Sequence, residues 1–524
     1  MSRWEQVCRV ADLNEGKGYE VWVNGRPLAL FLHQGAVYAL DDRCPHREGQ
    51  LSQGTVENGD AICPLHGWNF DLTTGISPYN PHDRIDTFAA RISGESVEVD
   101  AETVPPLPAA TFDGYQGRWR RWAQDTRGKQ VVRKLAKGKA PAIDAMGAEP
   151  VSPGLVVGFD HFHLRAAQLA RLPKPEGELV STTVVLGRGA GKPLQLALPA
   201  FISHISFGAV SREAKIALAR GSALAQSMTC SGEGGMLAEE RAAARIYVLE
   251  MASGYFGWNR ESMAQADAFE IKLGQSAKPG LGGELPAAKV TEEIARVRGI
   301  EPGSAAHSPA RFPDLAGLKD FAERIASLRS DFPEKPVGIK IAANHLEADL
   351  EAALSLQPDY LTVDGFGGGT GAAPVHVRDH FGMPLVMALP IARRHIDTHN
   401  ANSRRPVSLV ATGGIRTPDD MLKALALGAD ACALATAALF ALGCEYYRAC
   451  NSGHCPTGVA TQSPELRARI DPEIAAERVA NFLNGTRRQL EEYLRIMGHT
   501  HLHDLSLQDL LPLTPEAERL LHPR

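Results

Sequence analysis

The sequence predicts an α/β chain in which a (β/α)8 TIM barrel follows a small all-β domain and is capped by C-terminal helices. Three observations carry this. At 524 residues the chain is too long for one ordinary core. Its first hundred or so residues alternate short apolar runs with turns. From about residue 150 onward, β-rich runs alternate with helical patterns.

In the N-terminal part, Tyr19 to Val23, Leu28 to Leu32, Ala36 to Leu40 and Ser96 to Val99 read as antiparallel strands, with Asn24-Gly25 as the first turn. Within them lie Cys44-Pro45-His46 and Cys63-Pro64-Leu65-His66-Gly67-Trp68. Two loops that each offer a thiolate and an imidazole can hold a 2Fe-2S cluster, with Cys44 and Cys63 on one iron and His46 and His66 on the other. A zinc ion could use the same four ligands. The domain is expected over 1–103, followed by a linker over 104–149. That linker opens on the stiff run Val104-Pro105-Pro106-Leu107-Pro108 and continues as a basic helical stretch from Arg118 to Lys139. The basic stretch reads as a solvated linker or as a docking face for an acidic electron-transfer protein.

The barrel is expected over 150–470. Val337 to Ile341, Tyr360 to Asp364, Val407 to Ala411 and Ala431 to Ala435 are its clearest strands, and Leu315 to Ser330 and Thr417 to Leu427 its clearest helices. Two strands end in glycine turns, Asp364-Gly365-Phe366-Gly367-Gly368-Gly369-Thr370-Gly371 and Ala411-Thr412-Gly413-Gly414-Ile415-Arg416. Amides freed of side-chain bulk can close around a phosphate, and late barrel strands are a common place for one. Lys340 adds a fixed positive charge suited to the N1/O2 edge of a reduced flavin. Together they point to FMN. The segment from Lys272 to Arg298 sets Lys272, Lys278, Glu284 and Arg298 among glycines, as a loop at the mouth of a pocket does. Helices over Pro472 to Met497 and Leu507 to Leu521, within 471–524, complete the chain.

Composition narrows the class. A chain 44% hydrophobic and 22% charged, with formal charge −6, has no global pull toward nucleic acid or an anionic membrane. The most apolar stretch, Ala431 to Cys444, is 14 residues, too short to span a bilayer and better read as a buried strand entering a helix. Five of the eight cysteines sit in tight local groups, which without an export signal favours metal ligation over disulfides and a cytoplasmic location. Cys8, Cys230 and Cys432 read as small hydrophobes.

Both Cys-His pairs in order, with Gly49, Trp68, Phe70 and Thr73-Thr74-Gly75, resemble the Rieske family, of the ferredoxin type. Further on, Ser203-His204-Ile205-Ser206-Phe207-Gly208-Ala209-Val210-Ser211, Ser231-Gly232-Glu233-Gly234-Gly235, Ile271-Lys272-Leu273-Gly274-Gln275-Ser276-Ala277-Lys278-Pro279-Gly280 and Gly368-Gly369-Thr370-Gly371-Ala372 are similar to the FMN-binding synthase domain of glutamate synthases. So is the run from Cys444 to Gln462. That resemblance implies FMN contacts from Ser203, Ser206, Gly208, Ser231, Lys340, Asp364, Gly367, Gly368, Gly369, Thr370, Gly413, Gly414 and Arg416. It also implies a 3Fe-4S cluster on Cys444, Cys450 and Cys455. Its 2-oxo acid pocket corresponds to Glu233, Lys272, Lys278 and Arg298, and this chain has Glu284 where the family has glutamine.

The expected function is therefore an FMN oxidoreductase. Electrons from a donor protein pass through the Rieske and 3Fe-4S clusters to the flavin, and an imine is reduced to make an amino acid from a 2-oxo acid, or the reverse with an acceptor protein. No glutaminase domain or NAD(P)H-binding subunit is recognisable, so amine and electrons are expected from elsewhere, with an amine-supplying subunit and an oligomer both compatible. The alternative is an electron-transfer or amine-transferring subunit that works only within a larger complex. Two histidine groups, Asp160-His161-Phe162-His163 and His395 with His399, could be taken for mononuclear iron ligands but read better as surface or packing residues.

Overall fold

Eight parallel strands close into a barrel in the larger of the two units into which the chain divides, Met1–Arg133 and Lys134–Arg524. The computed structural model describes residues 2–45, 49–65, 67–78, 80–106, 143–148 and 157–521.

The N-terminal unit is antiparallel throughout its described strands. Gly18–Val23, Arg26–His33, Ala36–Asp41 and Thr87–Phe88 form one sheet; Trp4–Arg9, Ser96–Asp100 and Ala90–Ser93 form another; Thr55–Glu57, Asp60–Ile62 and Asn69–Asp71 form a third. Asn24 and Gly25, both at positive φ (48° and 75°), make the two-residue turn that sets Val23 opposite Arg26. Alternation along these strands separates two small cores. Val21, Val23, Leu28 and Leu30 pack with Val97 and Val99, while Phe31, Leu40, Leu51 and Phe70 enclose Cys44 and Cys63.

The barrel strands are β1 (Ala200–Ile202), β2 (Thr229–Cys230), β3 (Tyr247–Met251), β4 (Ala268–Lys272), β5 (Val337–Ala342), β6 (Tyr360–Asp364), β7 (Ser408–Thr412) and β8 (Ala431–Leu434), with β8 closing on β1. Parallel strands covered by helices are buried on both faces, which is why these runs are almost wholly apolar. Charged exceptions are buried as well: Glu250, Glu270 and Lys340 are each under 5% exposed. Ala431–Leu434 is a strand leading into helix Thr436–Leu442, as the apolar pattern requires.

Helix Pro472–Met497 packs along helix Arg212–Leu224. The approach is close enough that a Cβ on Gly221 would lie 2.6 Å from Val479 Cβ. Asp471 caps its N-terminus by accepting from the amides of Glu473 and Ile474, and Gly498 at φ 75° ends it. The expected helix over Leu507 to Leu521 is not continuous. Leu510–Pro512 is a strand paired with Phe162–Leu164, and helix starts only at Pro515. Pro512 and Pro515 lack the N–H groups that an unbroken helix would need there. Among the described residues no helix is long and apolar enough to cross a membrane.

Candidate active site

The ends of the barrel strands surround a cavity of about 1060 Å³, its open mouth included. That is the size range of small-molecule and cofactor sites. Lys272, the last residue of β4, enters it and pairs with Glu233, Nζ to Oε2 2.8 Å, with Glu250 Oε1 behind at 3.8 Å. Burial works against the Lys272 charge, but the carboxylates of Glu233 and Glu250 outweigh it and hold the ammonium well above its usual range. Glu233 responds in kind. Burial would raise its pKa, and Lys272, then Lys278 and Arg298, hold it below the ordinary value. The glycine loop lies directly on this carboxylate, since a Cβ on Gly283 would sit on top of Glu233 Oε1.

Lys278 also lines the cavity. It is 5% exposed, its ammonium makes no hydrogen bond or ion pair among the described residues, and burial lowers its pKa. A buried ammonium with free donors is a ready anion ligand. Arg298 stands one layer behind: its Nη2 donates to the Phe207 carbonyl (2.8 Å), its guanidinium covers the Phe256 ring, and burial lowers its pKa to about 10. Glu284 lines the cavity from a short strand paired with Ala306–His307, is exposed, and makes no ion pair within 4 Å among the described residues.

Sequence reasoning did not single out what lies beneath Lys272. His204, two residues after β1, turns into the barrel against Glu270 and stands 4.0 Å from Glu250 Oε2. Cys230, read above as a plain hydrophobe, belongs to the same group: its sulfur, a His204 nitrogen and a Glu250 oxygen lie within 4.8 Å of one another. A charged residue inside an apolar strand, as in Val248-Leu249-Glu250-Met251, is the available signal for such a site.

On the opposite wall the two glycine turns meet backbone to backbone. A Cβ on Gly413 (φ 109°) would fall 2.3 Å from the Gly365 carbonyl, and one on Gly367 would be 3.6 Å from Gly414 Cα. Gly369 and Thr370 line the cavity. A bulk-free surface of amides beside Lys340, itself 4% exposed and 3.8 Å from Asp364, fits a phosphate-bearing flavin. Asp364 also accepts from Ser276 N and Oγ, which fixes it beside Lys340. Gly368 approaches the same pair, where a Cβ would be 2.1 Å from Ser276 Oγ. The five remaining positions differ. Ser206 lines the cavity; Ser203 bonds His204 Nδ1 at 3.0 Å; Ser231 Oγ is occupied by the Gly232 carbonyl and the Glu250 amide; Gly208 packs on Leu285. Arg416 is exposed and lies over the rings of Phe440 and Tyr446.

Cys444, Cys450 and Cys455 line the same cavity. Burial, reinforced by neighbouring thiols, pushes Cys444 up to about 11 and Cys450 up to about 12. Thiols so placed ionise only when a metal supplies the compensating charge. Lys289 secures the loop, its Nζ donating to the carbonyls of Ala209 (3.2 Å) and Cys450 (3.1 Å). A segment that precedes the barrel strands joins in. Met146 lines the cavity, with its sulfur 3.8 Å from Cys450 Sγ, and Asp144 accepts from Arg378 and Arg448, both at 2.8 Å.

In the N-terminal unit Cys44 and Cys63 are each 1% exposed, and a Cβ on Gly49 would be 2.8 Å from Cys63 Sγ, so the two cysteine loops touch. None of the eight cysteines is in a disulfide. His46 and His66 lie outside the described residues, as does the basic stretch from Arg118 to Lys139. Neither histidine group belongs to a metal-binding cluster among the described residues: His161 Nδ1 accepts from the Gly158 amide, His163 is exposed on its strand, and His395 and His399 sit one turn apart on helix Leu385–Ala401.

Residues 173–500 match the conserved region in glutamate synthase, and residues 3–89 match the Rieske [2Fe-2S] domain. The archaeal-type glutamate synthase [NADPH] of Thermotoga sp. (strain RQ2) is 40% identical over 62% of this chain and 64% of its own length. A glutamate synthase large subunit-like protein of Rhizobium meliloti (strain 1021) is 36% identical over 79% of this chain and 94% of its own. The chain thus spans slightly less than two thirds of the first of these relatives. Among solved structures, a flavocytochrome b2 double mutant superposes with a TM-score of 0.45 at 15% identity, covering 71% of this chain and 82% of that one, a likeness too slight to argue from.

Proposed function

The chain belongs to the glutamate synthase family and carries a Rieske [2Fe-2S] domain, and from that premise we propose that it is a cytoplasmic iron-sulfur flavoprotein interconverting a 2-oxo acid and an amino acid. In this reading residues 1–103 form the Rieske domain, 104–149 the linker, 150–470 the catalytic barrel and 471–524 the C-terminal helices. When bound, FMN supplies hydride transfer at a carbon–nitrogen double bond, and a 3Fe-4S cluster and the Rieske cluster connect it to a donor or acceptor protein.

The observation that carries the proposal is one cavity lined at once by Lys272, Glu233 and Lys278, by Gly369 and Thr370, and by the three cysteines Cys444, Cys450 and Cys455. Lys278, buried and without a partner among the described residues, binds a substrate carboxylate. Lys272, held cationic by Glu233 and Glu250, polarises the carbonyl or imine carbon that accepts hydride. Glu233 keeps that ammonium in place and offers a carboxylate for proton exchange at the nitrogen. Arg298, one layer down, adds positive potential behind Glu233. Cys44 and Cys63, with His46 and His66, would hold the Rieske cluster.

The test is amino acid formation by the purified full chain from 2-oxo acids and ammonia under a chemical reductant, alongside the reverse reaction with an artificial acceptor. Turnover in either direction is the expected result. Failure of both, in protein loaded with flavin and iron, would make the chain a subunit that acts only with an amine-supplying or electron-transfer partner.

A further inference from the structure

Lys289 is a buried cation whose donors are met but whose charge is not. It is 4% exposed, and its Nζ donates to the carbonyls of Cys450 (3.1 Å), Ala209 (3.2 Å) and Ala460 (3.5 Å). Carbonyls satisfy N–H groups, yet a desolvated ammonium also needs a negative charge close by. No carboxylate supplies one among the described residues: the charges that reach Lys289 are the thiols of Cys450 and Cys455 and, in opposition, the Arg298 guanidinium. The carboxylates that line the same cavity act elsewhere. Glu233 pairs with Lys272 at 2.8 Å, and Glu284 acts on Lys278.

The ammonium is also held in place. Lys289 ends the single helical turn Ala287–Lys289, and its stem lies against the cysteine loop, where a Cβ on Gly453 would be 3.5 Å from Lys289 Cγ. Burial lowers its pKa to about 8, so it stays protonated at pH 7. Cys444, Cys450 and Cys455 line the cavity with it. Bound to iron and sulfide as thiolates, they make a centre of net negative charge, and an added electron deepens that charge. We propose that the Lys289 ammonium is the fixed countercharge of that iron-sulfur centre and raises its reduction potential. An outside reductant supplies one electron, the ammonium stabilises the extra negative charge, and no bond breaks and no proton moves. The inference rests on reading the three cysteines as cluster ligands.

The test is a potentiometric titration at pH 7 of the full-length protein, its flavin and iron counted first, in native form and as Lys289→Gln, Lys289→Met and Lys289→Arg. Loss of the three-iron electron spin resonance signal is followed against solution potential. The first substitution keeps N–H donors for the carbonyls without the charge, the second keeps only the stem, and the third keeps the charge. Where the native centre is half reduced, Lys289→Gln and Lys289→Met should lower the ratio of reduced to oxidised centre at least tenfold, a fall in potential of about 59 mV or more for one electron. Lys289→Arg should stay near the native ratio. An unmoved potential in either neutral variant that assembles the centre, or an equal shift in Lys289→Arg, would overturn the proposal. So would failure of both neutral variants to assemble it, since Lys289 would then be a staple of the loop. Native protein loaded with iron but without a three-iron signal would instead remove the reading of the cysteines, and the proposal with it.

Discussion

Replacing Lys272 by methionine deletes one ammonium while keeping most of the side chain's apolar stem. The change leaves Glu233, 15% exposed at its side chain, without its 2.8 Å partner, and leaves Glu250 without its nearest ammonium. Removing one member of a buried ion pair costs about 3 to 5 kcal/mol, because the remaining charge stays desolvated. For a unit this large that corresponds to a fall in melting temperature of about 4 to 6 °C. The variant can escape by protonating Glu233, whose folded pKa must then rise above the ordinary carboxylate value of 4.5. A carboxyl raised on folding contributes stability below its unfolded pKa and loses it as pH climbs through the folded one. The deficit relative to the native protein should thus be small near pH 5 and largest near pH 8. Thermal unfolding followed by fluorescence of Trp258, packed edge-on to Phe269 at 5.6 Å, reports on the barrel. The double variant Lys272→Met, Glu233→Gln should recover most of the loss. A deficit flat across that pH range, or one the second substitution leaves untouched, would refute the pairing as described.

Three other outcomes are expected. An ionised Glu284 about 4 Å from a substrate carboxylate would cost on the order of 4 kcal/mol at an effective dielectric of 20, roughly a thousandfold in binding. Glu284→Gln should therefore speed turnover of 2-oxoglutarate with ammonia, and an unchanged rate would mean that this side chain does not face the substrate carboxylate. In the N-terminal unit, burial pushes Asp42 up to about 6 despite its hydrogen bond from the Ser52 amide, so its contribution to stability is lost as pH rises through that value. Asp42→Asn should stabilise that unit by up to about 3 kcal/mol at pH 8 and by nothing at pH 4, as scanning calorimetry at the two pH values would show. Gly413→Ala, whose Cβ would meet the Gly365 carbonyl, should lose FMN on gel filtration, whereas Gly371→Ala, with Ala209 Cβ nearest at 3.8 Å, should keep it.

How far the fold can be read from sequence depends on element length. Val337–Ala342 and Tyr360–Asp364 are legible because each is a run of five or six residues rich in aliphatic, aromatic or β-branched side chains that begins within two residues of a proline. Ala200–Ile202 and Thr229–Cys230 are not, since two or three residues show no periodicity. The cavity's lysines stand out because charge among glycines has few structural uses. Glu250 and Glu270 are quieter: each is a single acidic residue in a strand, and only barrel closure turns both inward beside His204. Ser231 illustrates the converse, a hydroxyl in a binding motif that is consumed by its own backbone, which no pattern of residues reveals. Met146 comes from what reads as linker, and tertiary contact alone makes it part of the site.

The account turns on whether the N-terminal and barrel units carry their redox groups in one chain, and an anaerobic reductive titration of the full-length protein tests this most directly. Electron spin resonance and visible absorption are recorded at each step, in native protein and in Cys44→Ser and Cys450→Ala. The native chain should show a rhombic 2Fe-2S signal with the low average g of mixed cysteine and histidine ligation, a separate signal from a three-iron cluster, and bleaching of bound FMN. Cys44→Ser should lose only the first signal and Cys450→Ala the second. A native chain that yields zinc in place of iron at Cys44 and Cys63, or that bleaches no flavin at any potential, would contradict it.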